Sequence, residues 1–139
     1  MATPSPARIA DTEKITINLG FVDLGRIDLL VREGFYASRS DMIRAAIRAQ
    51  LDRHDAAVSP TIVREEFMMG LRDISRTELQ ALADANEMLD LRVIGLARFA
   101  NDIPAELVGA TISSVEVLGT IQASAEVKKI LASRHSKGR

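Results

Sequence analysis

A short alternating segment near the N-terminus constrains the fold of this chain more than any other feature. From Lys14 to Leu19 the string KITINL alternates strictly between polar and apolar side chains, which is typical of a half-buried strand. The patterns that follow it, up to about His54, are helical. A lone strand leaves its N–H and C=O groups unpaired and its apolar side uncovered. The segment therefore needs a second strand from another copy of the chain.

Two amphipathic helices are predicted directly after this strand. The first covers about residues 21–33, where apolar side chains recur three and four positions apart, and Gly34 provides its C-terminal stop. The second begins at the capping sequence SRSD, in which the Ser38 hydroxyl and the Asp41 carboxylate can accept hydrogen bonds from backbone N–H groups. It is expected to end near His54.

Pairing of the strand with its copy would give a two-stranded antiparallel ribbon packed on four helices. The apolar side of the ribbon would face the helices, and its polar side could enter a DNA major groove. The residues expected in the core of this dimer are Ile15, Ile17, Leu19, Ile27, Ile43 and Ile47.

Between Ile15 and Leu51 the sequence contains the strand ITINL, the helix end REG, the turn YASRS and the helix segment IRAAIR. In these four motifs it resembles the ribbon-helix-helix (CopG/ParD/Arc/MetJ-like) family. The resemblance implies a DNA-binding module that works as an obligate homodimer. It also implies base contacts from Lys14, Thr16 and Asn18, and phosphate contacts from Ser38, Arg39 and Ser40.

The chemistry of these residue types agrees with the implied roles. Asn can pair bidentately with adenine, Lys can donate to guanine, and a helix N-terminus offers free N–H groups to a phosphate. We expect Arg8, the only base in the N-terminal arm, to contact a phosphate as well. Residues 1–57 hold eight basic and eight acidic residues, so DNA binding would depend on where charge lies and not on its amount.

The composition argues against several other classes of function. The chain has no cysteine and only two histidines, His54 and His135, so we expect no metal site and no cofactor. The sequence shows no phosphate-binding loop and no nucleophile-base pair, so we do not expect the protein to be an enzyme. No segment has the roughly 20 apolar residues needed to span a bilayer, and no signal peptide is apparent. A cytoplasmic, nucleoid-associated protein is expected.

Three parts are predicted along the chain: a flexible arm (1–12), the DNA-binding module (13–57) and a C-terminal domain (58–139). The string DAAVSP is interpreted as a linker, with Ser59 as a cap and Pro60 in the first turn of a helix over residues 61–72. A second capping box, SRTE, is expected to open a helix that ends near Met88.

The remaining sequence suggests two strand-helix units. LRVIGLARF and SSVEVLGTI are strand-like, each is followed by a helical stretch, and the two units align without gaps at an offset of 24 residues, with Val93 opposite Val117 and Gly95 opposite Gly119. Chance similarity in a stretch rich in Val, Leu and Ala is the alternative. The expected fold is mostly α with short strands: a ribbon-helix-helix module plus a C-terminal α+β oligomerisation domain with two strand-helix units.

The predicted function is that of a bacterial transcriptional regulator of the CopG type, a repressor that binds double-stranded DNA. Its C-terminal part would join homodimers into tetramers. The main alternative is an antitoxin that autoregulates its operon and binds a toxin protein through this part. Plasmid partition, conjugation and DNA-organising proteins are further alternatives. A toxin-like gene overlapping the next reading frame would favour the antitoxin.

Overall fold

The computed structural model describes residues 12–135. The boundary between two compact units falls between His54 and Asp55. The elements of the described residues are α1 (Phe21–Arg32), α2 (Arg39–Arg64), β1 (Met68–Ile74), α3 (Arg76–Asp84), β2 (Leu89–Phe99), α4 (Ala105–Thr111), β3 (Ile112–Gln122) and α5 (Ala125–Ser133). None of these helices is both long enough and apolar enough to cross a membrane.

The first predicted helix is confirmed as α1, and Gly34 ends it as expected. Gly34 has a φ of +84°, a left-handed conformation that favours glycine. Its N–H donates to the Val31 carbonyl at 3.1 Å, and the N–H of Phe35 donates to the Leu30 carbonyl at 3.0 Å. These two bonds form a Schellman motif, which satisfies carbonyls that the helix end leaves open.

The second predicted helix is longer than expected. Helix α2 does not end near His54 but runs through the predicted linker to Arg64. Ser59 does not act as a cap, because its hydroxyl donates to the Asp55 carbonyl within the helix at 2.8 Å. Pro60 lies inside α2, where it removes one backbone hydrogen bond without ending the helix.

The prediction of a helix over residues 61–72 is wrong. Helix α2 ends at Arg64, and the backbone turns through Glu66 in a left-handed conformation with a φ of 55°. Strand β1 then begins at Met68. The second capping box is confirmed, since the Ser75 hydroxyl accepts from the Glu78 N–H at 3.1 Å, although α3 ends at Asp84, before the expected end.

The C-terminal unit contains three strand-helix units, one more than the sequence predicted. Strands β1, β2 and β3 form one parallel sheet in that order, and each strand is followed by a helix. The expectation of short strands is also wrong for β2 and β3, which are 11 residues long each.

The predicted repeat at an offset of 24 residues is confirmed as the register of two neighbouring strands. In the pairing of β2 with β3, Val93 lies opposite Val117 and Gly95 lies opposite Gly119. The pairing of β1 with β2 places Gly70 opposite Gly95, so one glycine from each strand lies in a single row across the sheet.

The core of the C-terminal unit lies between one face of this sheet and its helices. Leu79 of α3, Val108 of α4 and Leu131 of α5 are almost fully buried there. They pack in one cluster with side chains that alternate along the strands, which are Leu91, Val93, Ala97, Phe99 and Val115. This unit therefore has a hydrophobic core of its own.

Candidate nucleic-acid interface

The predicted base-reading residues lie together on an exposed segment immediately before α1. Residues 13–20 of a single chain have no helix or strand assigned, and Lys14, Thr16 and Asn18 are all exposed. Gly20 is extended, with φ −62° and ψ 152°, and leads directly into the helix. A strand here would have to pair with a second copy, so the two-stranded ribbon stays a prediction.

The apolar side of the same segment is also uncovered in one chain. Ile15 is 73% exposed and Ile17 is 55% exposed, values that are high for isoleucine in a folded protein. Full burial of such a side chain contributes about 1.5–3 kcal/mol. A partner that covers these side chains would therefore add several kcal/mol of stability per chain.

The helices of the N-terminal unit show the same deficit. Ile27 is the only buried hydrophobic side chain of this unit among the described residues. Ile43 is half-buried, whereas Ile47 and Leu51 on the same helix remain exposed. One chain thus supplies an apolar surface without a core, as expected for half of an intertwined dimer.

The N-terminus of α2 has the geometry expected for a phosphate site. The Ser38 hydroxyl accepts from the Asp41 N–H at 3.1 Å, and the Asp41 carboxylate accepts from the Ala37 N–H at 3.0 Å. These two bonds do not use the N–H groups of Arg39 and Ser40. Both N–H groups lie in the first turn of α2, where no helix carbonyl can reach them. Together with the positive end of the helix dipole, they suit an anion.

The side chain of Arg39 has a partner that sequence reasoning missed. Its guanidinium donates two hydrogen bonds to the carboxylate of Asp28 on α1, from Nε at 2.7 Å and from Nη2 at 2.8 Å. These bonds lower the pKa of Asp28 and raise the pKa of Arg39. No periodicity or motif links two residues 11 positions apart on different helices, so only the fold reveals the pair.

The other predicted site residues divide into two groups. Arg8 lies outside the described residues, so its phosphate contact stays a prediction. Ser38, Arg39 and Ser40 are all exposed at the start of α2, which leaves them accessible to DNA. Within residues 12–135 there is no group of three or more His, Asp or Glu side chains that could hold a metal ion.

An exposed polar segment, two helices joined by a glycine turn and an uncovered apolar side are the features expected of one half of a dimeric DNA-binding module. The model of the ribbon-helix-helix transcriptional regulator family matches residues 10–128. The chain belongs to this family, and the match extends well beyond the module into the C-terminal unit. No curated protein and no solved structure is similar enough to count as a match. Regulators of this family bind DNA and dimerise, and they are not enzymes.

Proposed function

We propose that the protein is a sequence-specific repressor whose two copies pair their 14–19 segments into a ribbon that reads the major groove. The observation that carries this proposal is the exposed polar side chains of Lys14, Thr16 and Asn18, which alternate with isoleucines that one chain cannot bury. Base edges in the major groove match these side chains, since each base pair presents its own pattern of donors and acceptors there.

The start of α2 serves as the phosphate clamp in this proposal. Backbone N–H groups of Arg39 and Ser40, together with the Arg39 guanidinium, hold a phosphate and fix the register of the ribbon on the duplex, while the ribbon reads sequence. The clamp and the ribbon both belong to a module that spans residues 13–57. The C-terminal part, residues 58–139, joins dimers into tetramers and so links neighbouring half-sites.

The core of the C-terminal unit favours a repressor over an antitoxin. Antitoxin tails that wrap a toxin fold only when they bind, and they have little core of their own. Here side chains such as Leu79, Val108 and Leu131 are almost fully buried within one chain. A self-contained domain of this kind fits a role in joining dimers.

Base readout is tested by replacing Asn18 with alanine. A preferred site is first selected from random duplexes with the full-length protein, and binding is then measured on that site and on random DNA. Asn18→Ala should lower affinity for the preferred site by about 1–3 kcal/mol and leave random DNA nearly unchanged, because only base contacts distinguish the two. Asn101→Ala, at an exposed asparagine of the C-terminal unit, is the matched control and should change neither. Equal losses on both DNAs would remove Asn18 from base readout.

The clamp is tested by a pair of substitutions at the ion pair between Asp28 and Arg39. Arg39→Ala should weaken binding to every sequence alike and reduce the salt slope by about one. Asp28→Ala should strengthen binding, because it frees the guanidinium and removes a negative charge beside the phosphate. Affinity is measured over a range of salt concentrations, and thermal unfolding is measured alongside. If both variants lose affinity and stability together, the pair only ties α1 to α2 and Arg39 does not contact DNA.

A further inference from the structure

Helices α3, α4 and α5 pack on one face of the parallel sheet of the C-terminal unit, and within the described residues the other face carries exposed apolar side chains. The helices pack on the side chains of Leu91, Val93, Ala97 and Phe99, which are buried. The alternate residues project from the opposite face. Those with large apolar side chains are Met69, Leu71, Ile94, Leu96 and Leu118, and we call this set the open face.

The strand register gathers the open face into two adjacent rows. Met69 pairs with Ile94, which pairs with Leu118, and Leu71 lies opposite Leu96 in the next row. Met69 is 63% exposed and Leu118 is 52% exposed, while Ile94 and Leu96 are half-buried between the outer strands. Parallel sheets are almost always covered on both faces, so an apolar patch of this kind indicates a docking surface.

Charged side chains border the open face, and they are paired within the chain. At one end Arg98 donates to the Asp73 carboxylate from Nη2 at 2.9 Å. At the other end Nε of Arg92 lies 3.3 Å from the Asp90 carboxylate, and Nη1 of Arg92 lies 3.5 Å from the Glu116 carboxylate. These five side chains carry a small net negative charge, which disfavours DNA as the occupant. A second neutral apolar surface could cover the patch without leaving any of these charges unpaired.

We propose that the open face docks on the open face of a second copy of this chain. The proposal rests on the dimer of the proposed function, because the paired ribbons tether two copies and so raise the local concentration of this surface. Between its outermost Cα positions the patch spans roughly 10 by 7 Å, from two strand spacings of about 4.8 Å and two rises of about 3.3 Å per residue. Stable interfaces bury about 800 Å² per partner, so a patch of this size depends on such a tether.

Cysteine cross-linking in the full-length protein tests this docking. The chain has no cysteine of its own, so one introduced thiol reports on one position. Leu96→Cys places a thiol on the central strand of the open face, and the matched control Lys128→Cys places one on the exposed side of α5. A bifunctional maleimide should be able to bridge two packed sheets, which lie about 10 Å apart.

The Leu96→Cys protein should form a covalent dimer about ten-fold faster or more than the Lys128→Cys protein, because docking holds the two thiols at a high effective concentration. Equal rates in two proteins with native circular dichroism would overturn the proposal. The Asn18→Ala test depends on the ribbon alone, so it can succeed or fail independently.

A charge placed on the open face distinguishes docking within one dimer from docking between two dimers. Leu118→Asp, at an exposed position, should lower the native mass from tetramer to dimer if the face joins two dimers. If Leu96→Cys cross-links rapidly and the Leu118→Asp protein keeps its mass, the face docks within one dimer. That result supports the docking surface and shows that this face does not join dimers into tetramers.

Discussion

Replacing Gly95 with alanine should destabilise the C-terminal unit by about 4 kcal/mol or more, near the upper end of single substitutions. Gly95 has a φ of +139°, a conformation that side chains other than glycine rarely adopt. A Cβ atom at this position would lie 2.2 Å from the carbonyl oxygen of Gly70 on the neighbouring strand. Gly95 lies on the central strand, which is paired on both sides, so neither strand can move away without breaking hydrogen bonds.

The matched control is Gly70→Ala on the edge strand. Gly70 has a similar φ of +119°, but an added Cβ would meet no atom within 4 Å. This substitution should cost only the conformational strain of about 1–3 kcal/mol. Urea unfolding followed by circular dichroism compares the two variants, with the transition of each compact unit fitted separately. Equal losses of stability would show that backbone strain alone, and not the close approach of the strands, selects glycine in this row.

The apolar residues before Gly70 explain why strand β1 was predicted as part of a helix. The residues before Gly70 form a nearly continuous apolar run, Phe67, Met68 and Met69. Strands of parallel sheets often read this way, because apolar side chains lie on both faces, and the open face here is apolar as well. Without alternation the run fits a helix equally well. The usable signal was Gly70 itself, which lies 25 residues upstream of Gly95, close to the 24-residue offset between Gly95 and Gly119.

The site was more predictable than the C-terminal unit, because its signals are local. The glycine stop at Gly34 and the cap at Ser38 involve residues within a few positions of one another, and both have the predicted geometry. The pair between Asp28 and Arg39 joins two helices, so it depends on how they pack. The same distinction applies to α2, where Ser59 and Pro60 resemble a helix start but lie on the exposed surface of a continuing helix.

Replacing Ile17 with aspartate should abolish the dimer and with it DNA binding. In one chain Ile17 is already 55% exposed, so a monomer would accept a carboxylate there with little loss of stability. In the paired ribbon the same side chain would lie under two strands against the helices, and burying an unpaired charge there costs roughly 3–5 kcal/mol per chain. The substitution therefore has a large effect only if the dimer forms as proposed.

Thr16→Asp is the control that separates dimerisation from DNA binding. Thr16 is adjacent in sequence but on the polar side of the segment, so a carboxylate there should repel phosphates and leave the dimer intact. Sedimentation should give the wild-type mass for Thr16→Asp and a lower mass for Ile17→Asp, while the C-terminal unit keeps its own unfolding transition in both. A wild-type mass for Ile17→Asp would contradict the ribbon, since the alternation of KITINL is the reason for placing Ile17 in a core that two chains share.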